Sequence, residues 1–318
     1  MWRYLFLLVI FPATLYAQKT DSAYIQPFQR KNTVELYAGT YSTTFKFRTH
    51  QNRQRNYKLA VNSSGYLGGD VSYKWLYLQY SVNIPGTELD NKAKYHYRLI
   101  RMQFGSHAVS VEPFYNAYNG LLIPNHDHRG YEAFQGIDFT NAGLDLFYYI
   151  NHRKYSYKAA TSFSEQQLQS AGSVFLVATP LWHQIRWKKP TPHLISDSST
   201  YNLLSSNPSW LSLVFKGGYT HNIVLGQHKW IIAPTVIFGA GALHELNTDN
   251  KRLQAVTDMQ GWINAGYNGD KYYAYLNASW ENLNTNLLVK DMHRTDWNLS
   301  FTLGYRFAHL PKKILGVL

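Results

Sequence analysis

A chain of 318 residues with no Cys carries no disulfide framework, no lipid-modified N-terminal Cys, and no thiol or zinc-thiolate chemistry. Only 16% of the residues are charged against 16% aromatic, with 26 Tyr, whereas about a quarter would be charged in an ordinary soluble domain. The net charge of +12 is dispersed over short clusters and is not stacked on one helix or sheet, which argues against a nucleic-acid partner.

Residues 1–17 have the form of a secretory signal. Arg3 supplies a positive charge, Leu5 to Phe11 an apolar core, and Leu15, Tyr16 and Ala17 a cleavage site before Gln18. The apolar run is too short to span a bilayer, so a cleaved signal and export are expected. Residues 18–32 contain Asp21, Pro27, Arg30 and Lys31 without periodicity and are expected to be a periplasmic lead-in.

A period of two then begins. Val34, Leu36 and Ala38 oppose Thr33, Glu35 and Tyr37, and Leu76, Leu78, Tyr80, Val82 and Ile84 oppose Tyr77, Gln79, Ser81 and Asn83. The same alternation marks residues 66–73, 95–104, 107–118, 142–150, 155–163, 173–187, 211–225, 230–243, 256–267 and 272–283. It is clearest from Trp297 to Phe307, where every odd position is aromatic or Leu and every even one small, polar or charged. One face of such a strand is greasy and the other wet, and Trp297 with Tyr305 or Phe307 suits the two headgroup layers of a bilayer.

These 13 stretches predict an all-β chain forming a closed antiparallel transmembrane barrel over residues 33–307. Single-chain barrels normally have an even number of strands, so 12 is expected, with 14 as the alternative. The pattern is weakest over residues 164–208, where a polar run and Pro190 and Pro192 interrupt it. Short connections at 74–75, 105–106, 151–154, 226–228 and 268–270 alternate with longer ones at 49–56, 86–94, 119–133, 247–253 and 284–294. Short periplasmic turns and long outer loops are the outer-membrane arrangement, and closure removes the exposed edges of an open sheet. No window after Ala17 holds 18 consecutive apolar residues, which excludes a helical membrane protein. Phe307 has the place of the terminal aromatic residue of an outer-membrane barrel, which makes the barrel-assembly machinery an expected partner. A short tail, residues 308–318, follows with Pro311, Lys312 and Lys313.

Three segments carry a more specific signal: residues 151–173 (NHRKYSYKAATSFSEQQLQSAGS), residues 71–78 (VSYKWLYL) and the opening Tyr24, Ile25, Gln26, Pro27, Phe28. With them the chain resembles a family of Bacteroidetes outer-membrane proteins, domain of unknown function 4421, over most of residues 24–307. The resemblance implies a Gram-negative outer-membrane barrel and carries over no functional residue.

If the apolar faces meet lipid, the opposite faces direct Glu35, His96, Arg98, Glu112, Asp145, Lys216, Asp258, Asn264, Asn277, Glu281 and Arg306 toward the lumen. Two readings follow. The charges pair and fill a modest barrel, because an unpaired interior charge is costly, or they line a narrow, porin-like pore for small solutes and set its selectivity. An envelope-structural or surface-binding barrel belongs to the first reading. Outer-membrane lipids and lipopolysaccharide are expected partners, and the basic clusters at 51–58, 151–158 and 186–189 are either solvated turns or contacts to lipid phosphates.

Enzymatic signatures are thin. Neither G-x-S-x-G nor H-E-x-x-H occurs. His126, Asp127 and His128 could ligate a metal only with a ligand from elsewhere, and an exposed polar loop explains them as well. Asp197, Ser198 and Ser199 near His193 suggest a turn more than a hydrolase. No catalytic residue and no cofactor is assigned. A lipid hydrolase or acyltransferase is the alternative, since outer-membrane enzymes of both kinds are barrels.

Overall fold

The computed structural model describes residues 20–49, 52–73, 76–90, 96–124, 130–188, 190, 195, 197–248 and 252–308. The expected signal, residues 1–17, and the tail beyond residue 308 lie outside them. In chain order the strands begin with β1 (Ile25–Pro27), β2 (Asn32–Thr49), β3 (Asn52–Val61), β4 (Gly65–Tyr73) and β5 (Leu76–Asn83). They continue with β6 (His96–Arg101), β7 (Phe104–Gly105), β8 (Val109–Pro124) and β9 (Tyr131–Tyr149). Helix α1 (Tyr157–Thr161) precedes β10 (Glu165–Gln167) and β11 (Ala171–Trp187), and helix α2 (Ser198–Ser205) precedes β12 (Ser209–Leu225). The chain ends on four long strands: β13 (Trp230–Glu245), β14 (Gln254–Asn268), β15 (Tyr272–Asn286) and β16 (Lys290–Phe307).

The barrel is antiparallel and closed. From β8 through β9 and β11 to β16 each strand pairs with its neighbour, and β16 pairs with β2 along its whole length, from Lys290↔Thr49 to Phe307↔Asn32. On the other side β2 pairs with β3, and β3 with β8 at Ala60↔Leu122 and Val61↔Leu121, which completes a ring of ten strands. We call the end where β2 starts and β16 finishes the near rim, and the opposite end the far rim. Toward the near rim β2 exchanges β3 for β4, from Thr33↔Ser72 to Thr40↔Gly65, and β4 pairs onward with β5. From the other side β6 and β7 lie against β8. No helix among the described residues is long and apolar enough to cross a membrane.

The alternation seen in the sequence becomes an outside and an inside. Leu36 (64% exposed), Phe215 (62%) and Trp297 (59%) stand on the outer surface, while their sequence neighbours Glu35, Lys216 and Asp296 point inward. This inverts the soluble arrangement: the greasy face is outside and the charges are inside. At the near rim β12 turns into β13 through Gly226, Gln227 and His228, whose φ angles of 54°, 55° and 67° form a tight left-handed turn.

Three expectations need correction. Residues 155–163 do not form a strand: Ser156 caps α1, its hydroxyl accepting from the Ala159 N–H, and Ala159 and Ala160 are buried under it. The alternation of Tyr155, Tyr157 and Ala159 is a coincidence of a short helix that begins at one aromatic residue and follows another. Residues 49–56, expected as loop, contain most of the start of β3. The long loops expected at 119–133 and 284–294 are largely strand, since β8 runs to Pro124, β9 starts at Tyr131, β15 runs to Asn286 and β16 starts at Lys290. Toward the far rim neither face is uniformly greasy, so a hydropathy alternation cannot register there although the backbone still pairs. Twelve of the 13 predicted stretches coincide with strands, yet the hydrogen-bonded ring counts ten.

Candidate functional site: an ionic layer between two plugs

The lumen is built in three layers. At the far rim, α2 and Ile195 lie in the barrel mouth. Ile195, Leu203 and Leu204 pack among Trp187, Trp210, Phe134, Phe139, Leu243 and Met292 in one buried apolar cluster. Within it Phe45 and Phe139 lie tilted with ring centroids 4.7 Å apart, and Trp187 meets Phe134 edge-on at 5.0 Å. Asp197 is the N-cap of α2, accepting from the Thr200 N–H at 3.1 Å, and it pairs with the fully buried Lys290 ammonium. Partial burial opposes ionisation of Asp197, but the hydrogen bonds from Lys290 and Thr200 prevail and hold its carboxyl down at about 2.

The near rim carries a second plug made from three chain segments. β1 of the lead-in pairs with β10, from Ile25↔Gln167 to Pro27↔Glu165, and α1 packs against β10. Tyr149, Tyr155, Ala159, Ala160, Phe163, Phe175 and Ile231 form its apolar core. Polar bonds fasten it to the wall. Gln167 donates to the carbonyls of Lys154 (2.6 Å) and Gln169 (3.0 Å) and accepts from the Ser156 N–H (2.9 Å) and the Asn222 amide (3.0 Å). Asn268 donates to the Glu165 carbonyl at 2.9 Å. Arg306, 1% exposed, sits between the rings of Phe28 (3.8 Å) and Tyr273 (3.9 Å) and donates to the Phe163 and Gly269 carbonyls and to Asn268 at 2.7 Å. The Glu165 carboxylate is penalised by burial, yet His107 at 3.0 Å, Ser156 at 2.7 Å and Lys158 hold it below the usual carboxylate range.

Between the plugs runs a band of ion pairs. Arg101 meets Glu112 at 3.2 Å and Asp145 at 3.7 Å; Lys216 lies 3.8 Å from Asp145 and 2.8 Å from Asp258. Further round, Arg294 meets Glu281 at 2.8 Å and Asp296 at 2.6 Å. Hydroxyl and amide donors add to the carboxylate shells: Thr179 on Asp145, Thr43 on Asp296, Gln260 on the same Asp258 oxygen that meets Lys216, and Tyr157 of α1 on Glu112 at 3.1 Å. Lys216 reaches from β12 past β11 to β9 and past β13 to β14, so the band ties together strands that are not neighbours. Its three cations stand against five carboxylates, which leaves it formally acidic.

Nearer the near rim, Glu35 lies opposite Asp70 in the β2–β4 register. The Tyr273 hydroxyl crosses from β15 to donate to Glu35, and the Tyr275 hydroxyl lies 3.4 Å from its second oxygen. The crossing needs Gly304 on the intervening strand, where a Cβ would stand 2.0 Å from the Tyr273 ring.

Of the residues expected toward the lumen, Glu112, Asp145, Lys216, Asp258 and Glu281 come together in the ionic band, while Glu35 and Arg306 lie nearer the near rim. Asn264 is buried and bonded by the Asn277 amide at 2.7 Å. Arg98 departs from the expectation. It is exposed and lies opposite Ala117, on the face that carries Ile100 opposite the exposed Tyr115, so it points outward. Its segment has apolar and basic residues on both faces, and only the register with β8 decides between them. The inward base is Arg101, opposite Phe114, with its guanidinium 5.2 Å from that ring. The His96 side chain, His126, Asp127, His128 and His193 lie outside the described residues. Asp197 and Ser199 belong to the α2 cap, the Ser199 hydroxyl donating to Asp197 at 3.1 Å. Among the described residues no group of three or more His, Cys, Asp or Glu is arranged to hold a metal. Arg294, Asp296, Lys290 and Gln167 escaped the sequence reading, because the first three lie in a stretch without apolar alternation and Gln167 in a polar run.

The family described as domain of unknown function DUF4421 matches residues 19–307. No curated protein matches the sequence. Among solved structures, the chain is similar to the outer membrane protease OmpT from Escherichia coli, at 9% identity and TM-score 0.40, covering 90% of this chain and 100% of that one. It is also similar to the β domain of the Bordetella autotransporter BrkA (11% identity, TM-score 0.42, 86% and 100% covered). A third is an outer membrane channel from Pseudomonas putida F1 (12% identity, TM-score 0.39, 91% and 99% covered).

Proposed function

The chain belongs to the DUF4421 family, and from that premise we propose that it is an integral outer-membrane barrel whose lumen is closed at rest, serving the envelope as a structural or surface-binding barrel and not as an open pore. The layering carries this reading: a bonded ionic band with an apolar plug on each side of it. An open aqueous pore would hydrate its charges, whereas the side chains of Lys216 and Asp258 are 6% and 4% exposed. Outward residues Trp297, Leu299, Phe301, Leu303 and Tyr305 supply the belt, about 26 Å along the strand at ~3.3 Å per residue. At the ~40° tilt usual for such strands this is about 20 Å of height, of the order of the roughly 25 Å apolar band of an outer-membrane barrel. In this reading the near rim faces the periplasm, the far rim carries α2 toward the outside, lipids and lipopolysaccharide surround the belt, and β4, β5 and β6 bring the wall to twelve strands in its periplasmic half.

A second reading, a narrow cation pathway, draws support from Arg101 and Glu281, whose side chains are 46% and 29% exposed inside the acidic band. Planar-bilayer recording separates the two. Refolded residues 18–318, verified by heat-modifiable gel migration, are expected to show no steady conductance. Steady, salt-dependent and cation-preferring conductance from the unaltered barrel would replace the closed reading with the pathway.

A further inference from the structure

The outer surface is not uniformly convex. Across β2, β16, β15 and β14, near the near rim, lies a groove of about 390 Å³ lined by Leu36, Leu303, Tyr305, Tyr272, Ala274 and Tyr267, within the ~300–1,000 Å³ range of small-molecule sites. The cross-strand register explains it. Tyr267, Ala274, Leu303 and Leu36 stand side by side on one outward row, and the small Ala274 leaves a slot between larger neighbours. The next row toward the rim is Tyr272 beside Tyr305, their ring centroids 5.3 Å apart, forming the groove's rimward wall.

A cation stands over that wall. The exposed Lys271, in the turn between β14 and β15, has its ammonium 5.4 Å from the Tyr272 ring and 5.9 Å from the Tyr305 ring. The neighbouring Asp270 carboxylate is engaged by the Gln166 amide at 3.0 Å. Lys229 in the adjacent turn and Arg30 and Lys31 before β2 are exposed at the same rim. An apolar slot that opens on the lipid-facing belt, capped by two tyrosines and an ammonium, matches one amphiphile: an acyl chain ending in an anionic phosphate.

We propose that this groove is a site for a single glycerophospholipid of the periplasmic leaflet, one acyl chain lying over Ala274 and the headgroup phosphate paired with Lys271. The proposal rests on the membrane reading above and goes beyond it, since it distinguishes one bound lipid from the general lipid around the belt. Lys271 acts as the point charge and the two tyrosines as the amphipathic collar at headgroup level.

The experiment is native mass spectrometry of the folded barrel released from mild detergent, titrated with dipalmitoyl phosphatidylglycerol or phosphatidylethanolamine. One lipid should survive on the unaltered protein. Ala274→Phe, which fills the slot from the lipid side, should weaken that binding by at least about tenfold, the loss of only about two buried methylenes. Lys271→Gln should weaken phosphatidylglycerol by about fivefold, the weight of one basic residue near an anionic headgroup. Phe215→Ala, on the distant β12 face, should leave it unchanged, with heat-modifiable migration retained in all three variants. Retention of the lipid by Ala274→Phe, or an equal loss in Phe215→Ala, would overturn the site while leaving the membrane reading intact. A folded chain that stays in aqueous solution without detergent would overturn both.

Discussion

The two plugs occupy equivalent positions at opposite rims and are held by different physics. The near plug is fastened by directional polar bonds: Arg306, Gln167, Asn222 and Asn268 each satisfy backbone or amide groups of a segment that would otherwise present them to a closed interior. The far plug is fastened by area, with Ile195, Leu203 and Leu204 inserted among Trp187 and Trp210 and an ion pair, Lys290 with Asp197, fixing the helix start. Directional bonds fail as a set when one member is removed, because its partners remain buried and unsatisfied. Apolar packing fails by degrees, in proportion to the atoms lost.

The comparison breaks most visibly at Arg306. Arg306→Ala should cost about 3 kcal/mol or more, since at least two carbonyls and an amide oxygen lose a charged donor. The expected readout is a lower temperature of the heat-modifiable gel transition together with proteolysis in residues 150–170, and an unchanged transition would remove Arg306 as the pin. Leu204→Ala, at a position 0% exposed, should cost about 2–4 kcal/mol by leaving a cavity. Its signature is a red shift of Trp187 and Trp210 fluorescence without new cleavage at the near plug. Because the plugs lie in series, neither variant alone should conduct in planar bilayers; the double variant should, with a preference for cations, and conduction by either single variant would mean that one plug is not a seal.

Smaller effects sharpen the contrast. Gly304→Ala would place a methyl where the Tyr273 ring now crosses to Glu35. An overpacking cost of about 1–3 kcal/mol is expected at the near rim only, read from the same gel transition. Acid should act on the far plug through Asp197. Its carboxyl is held at about 2 against an ordinary 3.8, so the stability it lends is complete above about 3.8 and is lost as pH falls toward 2. Trp187 and Trp210 fluorescence should therefore change across that interval, and Asp197→Asn should flatten the change. A pH profile identical in Asp197→Asn would assign it to another group, Glu165 of the near plug among them, whose carboxyl is also held below its usual range.

Much of the barrel is legible in the chain because a period of two is a local property. Trp297 to Phe307 needs no partner to declare two faces, and the outward Leu, Phe and Tyr on β16 follow from it. The same rule misleads where one face lacks contrast. At His96–Arg101 both faces mix apolar and basic residues, so Arg98 and Arg101 exchange roles once β8 sets the register. At Tyr155–Phe163 a capped helical turn imitates a strand, because five residues are too few to tell a period of two from 3.6.

Composition and alternation by themselves determine an all-β chain with a greasy outside and a charged inside, since a period of two sorts side chains one strand at a time. They do not determine what fills the inside. That Lys216 meets Asp145 and Asp258, that Lys290 pairs with the Asp197 cap of α2, and that a lead-in without periodicity supplies β1 to the near plug are contacts between residues tens of positions to more than a hundred apart. Only closure of the ring brings them within reach, because ion pairs and hydrogen bonds depend on separations of a few ångströms that no local pattern encodes.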